Sequence, residues 1–238
     1  MSLKENRDFE LTHWDGKSGA SCGPRYILDT VLHHEKNTNG LYKANRYMEL
    51  IVGPTVIEIG CNAGGFTTLY SQHGYAVGLD LLHQPLAIAR FWSKCINERN
   101  FDKKHWGEEW CHPPDFEVNC GWINAEASHL PFKDGAFNTV CMTDLIEHLP
   151  VHLRAVAIAE GIRIAKNRFI ISTVTEVSDP NNPDWLDQIL ERVHPFGLLT
   201  EEELERWVRD CGVEIFVIET KWFGTEQFIK QILIGANK

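Results

Sequence analysis

Apolar residues recur along this chain with two periods, and the alternation between the two predicts its architecture. From Arg25 to Lys36, Ile27, Leu28, Val31 and Leu32 share one face at helical spacing, and the turn-forming run Asn37-Thr38-Asn39-Gly40 ends that helix. A second helix is predicted over 41–50, with Leu41, Ala44, Met48 and Ile51 on one side. Then the period changes. Val56–Ile59 is a short β-branched run closing at Gly60, the composition of a parallel strand covered on both faces. A helix from Gly65 to His73 follows, with Gly74 placed to stop it. Ala76–Leu79 predicts a second strand ending at Asp80, and Pro85–Asn97 a helix with Pro85 near its start.

The same rhythm continues to the end. Strands are predicted at Phe116–Ile123, Phe137–Thr143 and Phe169–Val174, with a helix over Val151–Ala165. Thr200 precedes Glu201–Cys211, a helix with acidic residues in its first turn, where they favour the dipole. Two strand-like runs close the chain, Val213–Glu219 and Phe228–Ile234. Five β-α units and a terminal strand pair place the chain in the α/β class, with a mainly parallel sheet and helices on both faces. Residues 1–24 are polar and rich in turn formers, so 1–52 read as an N-terminal arm and helical cap, and 53–238 as the catalytic-type domain of a single-domain protein. The stretch from Asn100 to Pro114 is long for a connection and reads as a surface excursion.

Composition narrows the function classes. The 238 residues suit one full core rather than two domains. A net charge of −10 repels phosphate backbones and disfavours nucleic acid as a partner. The basic run Arg163–Arg168 is short and ends a predicted helix, where cations suit the dipole. Seven cysteines, an odd number without a C-x-x-C pair, read as reduced thiols of a cytoplasmic protein. The first residues hold no apolar core of a signal peptide, and no run approaches the roughly 18 apolar residues of a membrane span.

The chemistry concentrates between Val56 and Asp80. Gly60 lets the backbone turn sharply after a strand, and Gly64 and Gly65 let it pass close to a ligand. Asp80 follows Glu58 by 22 residues, at the end of the next strand, placed to accept two ribose hydroxyls. The unit reads as a binder of an adenosine-containing cofactor. The spacing E-x-G-C-x-x-G-G is not the G-x-G-x-x-G that seats a dinucleotide pyrophosphate.

That segment resembles motif I of class I S-adenosylmethionine-dependent methyltransferases, with Asn62 at the middle glycine. Glu126-Ala127-Ser128-His129-Leu130-Pro131-Phe132 is similar to the family's D-A-x-x-L-P-F, and Thr143–Pro150 to its E-H-L segment. The tail from His194 to Leu204 also fits. Within the family, the look-alikes are small-molecule enzymes typified by those of quinone biosynthesis. The resemblance implies a Rossmann-like, doubly wound, seven-stranded sheet whose last strand inserts antiparallel. It implies S-adenosyl-L-methionine as co-substrate, held by Glu58, Gly60, Cys61, Asn62, Gly64, Asp80, Leu81, Glu126, Ala127 and Asp144.

Methyl transfer needs alignment more than covalent help, but a hydroxyl acceptor also needs a base. The candidates are His148, His194 and Asp144, with His129 behind them. On a helix, Asp144, Glu147 and His148 share a face at i, i+3, i+4, which resembles the E-x-x-E-H site of metal-assisted O-methyltransferases. The short Asp144 arm argues against coordination, so no metal ligands are assigned and a divalent ion stays an alternative. His105, Cys111, His112 and Cys120 match no standard zinc spacing. Trp106, Trp110 and Trp122 read as core or lid packing. The acceptor, expected to be a small molecule methylated on O, N or C, would meet Trp14, Tyr26, Trp185 and Phe196. Its pocket is expected beside Asp144, Glu147, His148 and His194, under the N-terminal arm. Alternatives are a metal-assisted RNA or quinone O-methyltransferase and a silent cofactor-binding subunit; monomer and homodimer are both open.

Overall fold

The computed structural model describes residues 45–99, 116–177, 196–223 and 229–238. The predicted arm, the helix from Arg25 to Lys36, His194 and the whole surface excursion from Asn100 to Pro114 lie outside them, as do Trp14, Tyr26, His105, Trp106, Trp110, Cys111, His112 and Trp185.

Within the described residues the strands are β1 (Thr55–Ile59), β2 (Tyr75–Asp80), β3 (Cys120–Asn124), β4 (Phe137–Thr143), β5 (Ala165–Val177), β6 (Glu214–Phe223) and β7 (Ile229–Asn237). The helices are α1 (Gly65–Tyr70), α2 (His83–Asn97), α3 (Val151–Ile164) and α4 (Glu201–Asp210), and residues 45–50 are also helical. The strands form one seven-stranded sheet in the order β3-β2-β1-β4-β5-β7-β6. β1 pairs parallel with β2, β2 with β3 and β4 with β5, while β7 runs antiparallel to both β5 and β6. This is the mainly parallel sheet that the alternation of periods predicts, with the seven strands and antiparallel last strand that the resemblance implies. The chain divides into two compact units between Glu126 and Ala127.

In the first unit, Val56, Ile57, Glu58 and Ile59 of β1 are all buried, as a parallel strand covered on both faces requires. Every residue of α1 is buried, and Phe66 and Tyr70 pack with Tyr47, whose ring centroid lies 5.9 Å from that of Phe66. Gly74, at φ +144°, ends the short turn after α1; a Cβ there would stand 2.4 Å from the Pro54 carbonyl oxygen. β3 starts later than the predicted Phe116. The Asn97 side chain takes the Val118 backbone at both ends, accepting from its N–H at 2.7 Å and donating to its carbonyl at 2.9 Å. The ladder to β2 therefore opens only at Cys120, opposite Ala76.

In the second unit, β5 begins directly after α3, where Ala165 pairs with Phe137 of β4, and extends past the predicted Phe169–Val174 because β7 pairs with it from Arg168 to Val177. α4 opens with a capping box: the Thr200 hydroxyl accepts from the Glu203 N–H while the Glu203 carboxylate accepts from the Thr200 N–H. Leu204 and Val208 are its buried face. Arg163 does more than end a helix. Its guanidinium donates to Glu160, to Asp134 and to the carbonyls of Phe132 and Leu130, while Glu160 accepts from the Leu130 N–H. The segment from Leu130 to Asp134 is thereby clamped to α3.

Candidate active site

The first unit builds its site at the carboxyl ends of β1 and β2, where ligands of open α/β sheets sit. Past Ile59 the chain turns at Gly60, φ +78°, and both Gly60 and Cys61 donate their N–H to the Leu79 carbonyl, at 2.8 and 3.0 Å. Asn62 then adopts φ +51°, a conformation that asparagine tolerates better than most residues. Its N–H points at Asp80, whose Oδ2 accepts it at 2.8 Å, while Oδ1 accepts the Leu82 N–H at 2.9 Å. Two charge-assisted bonds thus fix the carboxylate that the sequence singles out, and each oxygen keeps a further lone pair for an incoming donor. Burial raises the Asp80 pKa, and the N–H groups of Leu82, Asn62 and Leu81 oppose that rise.

Behind the loop, Glu58 is 2% exposed and its carboxylate accepts the Thr67 hydroxyl of α1. Glu58 braces the loop from the protein side. Cys61 is equally inward: burial, then the charges of Asp80 and Glu58, pushes its thiol pKa well up, so it behaves as an inert packing group. Cys120, with its thiol raised to about 12 by burial, lies on the same protein side, 3.5 Å from the Thr67 carbonyl.

Gly64 is a glycine for a reason internal to the fold. The spacing suggests a glycine that makes room for a ligand, yet a Cβ on Gly64 would stand 2.2 Å from the Trp122 ring. A Cβ on Gly78 of β2 would meet the same ring at 2.4 Å. Both positions are glycine because one indole lies against them, and Gly64 also needs its φ of +80° as the N-cap of α1. Trp122 is therefore the packing floor of the loop. Asn124 is a residue the sequence reading missed. Its side-chain amide donates to the carbonyls of Asp80, at 3.0 Å, and Leu81, at 2.8 Å, tying the end of β3 to the end of β2. Only its place two residues before the acidic position of the D-A-x-x-L-P-F-like segment hints at that role. Leu81 and Glu126 are half-buried at this edge.

In the second unit, Asp144 follows β4 at φ +50°, and its N–H donates to the Ser172 carbonyl at 3.0 Å. Ala127, also in this unit, is buried. Ile146–His148 is a single 3-10 turn, so the α-helical face expected to align Asp144, Glu147 and His148 does not form. Glu147 is 1% exposed and accepts the Thr173 hydroxyl at 2.7 Å, which turns its carboxylate toward β5. The trio is not arranged as a metal set, and among the described residues no three His, Cys, Asp or Glu side chains come together as one. His148 is half-buried in the turn, and His129 is exposed. Among the described residues, no helix is long and apolar enough to cross a membrane.

Comparison with known proteins agrees with this geometry. A family model described as a methyltransferase domain matches residues 33–216. A ubiquinone biosynthesis O-methyltransferase of Pseudomonas paraeruginosa is 26% identical over 180 residues, covering 69% of this chain and 66%, just under two thirds, of that relative. The fold is similar to that of magnesium protoporphyrin IX methyltransferase from Synechocystis PCC 6803 with bound SAH, at TM-score 0.62 and 14% identity, covering 99% of this chain and 98% of that one. It is also similar to a SAM-dependent methyltransferase of Methanosarcina mazei, at TM-score 0.60 and 17% identity, covering 81% and 96%. With three quarters of its length matched by the family model, this chain belongs to the methyltransferase-domain family.

Proposed function

We propose that the protein transfers the methyl group of S-adenosyl-L-methionine to an oxygen atom of a small-molecule acceptor. The observation that carries the reading is Asp80. Its carboxylate stands at the carboxyl end of β2 with both oxygens anchored by backbone N–H groups, and it retains acceptor capacity for a pair of ribose hydroxyls. The neighbouring turn brings Gly60 and Asn62, both at positive φ, to the same edge. When bound, the sulfonium supplies an already activated methyl carbon. The chain then has to hold the cofactor, orient the nucleophile in line and accept its proton. Among the described residues, His148 in the turn after β4 is the base we assign, with Asp144 just before it and His194 as a candidate beyond the described residues. The oxygen acceptor is favoured by the Pseudomonas relative, named as an O-methyltransferase.

Calorimetry tests the cofactor half. S-adenosylhomocysteine is expected to bind and NAD to give no heat; tighter binding of NAD would overturn the reading. A screen with methyl-labelled cofactor over phenols and quinols, with and without Mg²⁺, then tests the acceptor. Label appearing only in amines or carbon acids would move the reaction off oxygen.

A further inference from the structure

The second unit contains a buried cation that none of the motifs explains. Arg154, on α3, is 2% exposed. Its guanidinium donates to four backbone carbonyls: Nε to Leu149 at 2.8 Å, and Nη2 to Gly197 at 2.6 Å, Phe196 at 3.1 Å and Glu147 at 3.4 Å. The four fall on two segments far apart in sequence. Glu147 and Leu149 flank His148 in the turn after β4, and Phe196 and Gly197 begin the run that enters α4. Burying a guanidinium carries a large desolvation cost, and an apolar residue of similar volume is often as stabilising. What an apolar side chain lacks is a rigid planar fork that grips both segments at once.

We propose that Arg154 is a positioning residue, fixing the His148 turn in register with the Phe196–Gly197 segment so that the imidazole is held where the acceptor is deprotonated. The proposal rests on the methyl-transfer reading for what His148 does, but not for the link itself. Lysine cannot replace the fork, because its ammonium is a single point of donation where the guanidinium spreads donors over a plane. The link is also sensitive from its far end. Gly197 sits at φ +74° with no atom within 4 Å of an added Cβ, so alanine there strains the backbone beside the strongest of the four bonds without a collision.

The test uses the full chain with ¹³C-labelled histidine. The His148 resonance, assigned by its loss in His148→Gln, is followed in the wild type, in Arg154→Lys and in Gly197→Ala. It is expected to shift in both variants, while His73 and His83 of the first unit hold their positions and S-adenosylhomocysteine affinity stays close to wild type. A His148 resonance that does not move in a variant folded by circular dichroism overturns the proposal. Should Arg154→Lys fail to fold, Gly197→Ala decides alone, since it leaves the guanidinium in place. Should the wild type bind no S-adenosylhomocysteine, the methyl-transfer reading falls, and the histidine spectra still decide whether Arg154 sets the turn.

Discussion

Asn62 and Asp144 are the same local device in two regions of the molecule. Each follows the carboxyl end of a strand, each is a non-glycine residue at positive φ, +51° and +50°, and each has its N–H captured. The captors differ. Asn62 donates to the Asp80 carboxylate, an ionisable side chain, whereas Asp144 donates to the Ser172 carbonyl, part of the backbone of β5. The first turn is therefore coupled to charge and to whatever binds Asp80. The second is set by the sheet and depends on Arg154 only further along, at Glu147 and Leu149. On the proposed reading, the first turn is the one that a ligand of Asp80 would move, and the second is the one that carries His148.

The largest expected effect breaks the first region at its floor. Gly64→Val should cost about 3–5 kcal/mol of stability, combining a β-branched residue in the left-handed region with overpacking against Trp122. Urea unfolding measures it, and Gly64→Ala together with Trp122→Leu should be less damaging than Gly64→Ala with the indole in place. Full stability with lost S-adenosylhomocysteine binding would mean that Gly64 faces the ligand after all. Next in size, Asp80→Ala removes a charged acceptor and releases the Asn62 and Leu82 donors. Cofactor affinity should fall by about 1.5–3 kcal/mol, read by calorimetry. Unchanged affinity in a folded variant would remove Asp80 from the site.

The contrast also explains what could be read from the sequence. The Asp80 side depends on contacts between consecutive β-α units, so glycine spacing and one acidic residue at a strand end were enough to predict that the turn after β1 and the end of β2 meet. The direction each side chain takes was not legible there. Glu58 and Cys61 fit the motif, but β1 and its turn aim them into the protein, toward Thr67 and the core. Gly64 looked like room for a ligand because Trp122, 58 residues later, gives no sign in sequence of lying against it. The helical reading of Asp144–His148 failed because the i, i+3, i+4 pattern presumes α-helical pitch, while a residue at positive φ followed by a 3-10 turn rotates Glu147 inward. Arg154 was invisible for a different reason. All four of its acceptors are backbone carbonyls, and those leave no trace in composition.

A smaller effect separates strain from chemistry in the second region. Asp144→Gly relieves the left-handed backbone but adds freedom to the unfolded chain, two terms of opposite sign and about 1 kcal/mol each. Stability should thus change by less than about 1 kcal/mol. Turnover on the acceptor found by the labelled-methyl screen should drop, because the side chain preceding the His148 turn is gone. A glycine variant with full turnover would make Asp144 a purely structural turn residue, and His148 would carry the chemistry alone.

The smallest expected effect is a pH dependence that only the first region should show. Burial raises the Asp80 pKa in the folded apo protein above its unfolded value. The folded state therefore holds that proton more tightly than the unfolded chain does. The resulting stabilisation is complete below the unfolded pKa and is lost as pH rises through the raised, folded one. Above that point the protein without ligand carries a half-buried carboxylate held by backbone N–H groups. A ligand that donates two hydroxyls to the ionised form favours it and pulls the pKa back down. The rise in melting temperature caused by S-adenosylhomocysteine should accordingly grow as pH increases through the Asp80 titration and shrink as pH falls below it. Asp80→Asn should flatten that profile, whereas Asp144→Asn should leave it intact, since the Asp144 turn is anchored through its backbone N–H on Ser172. A melting shift independent of pH in the wild type would mean that the Asp80 carboxylate does not receive the ligand's hydroxyls.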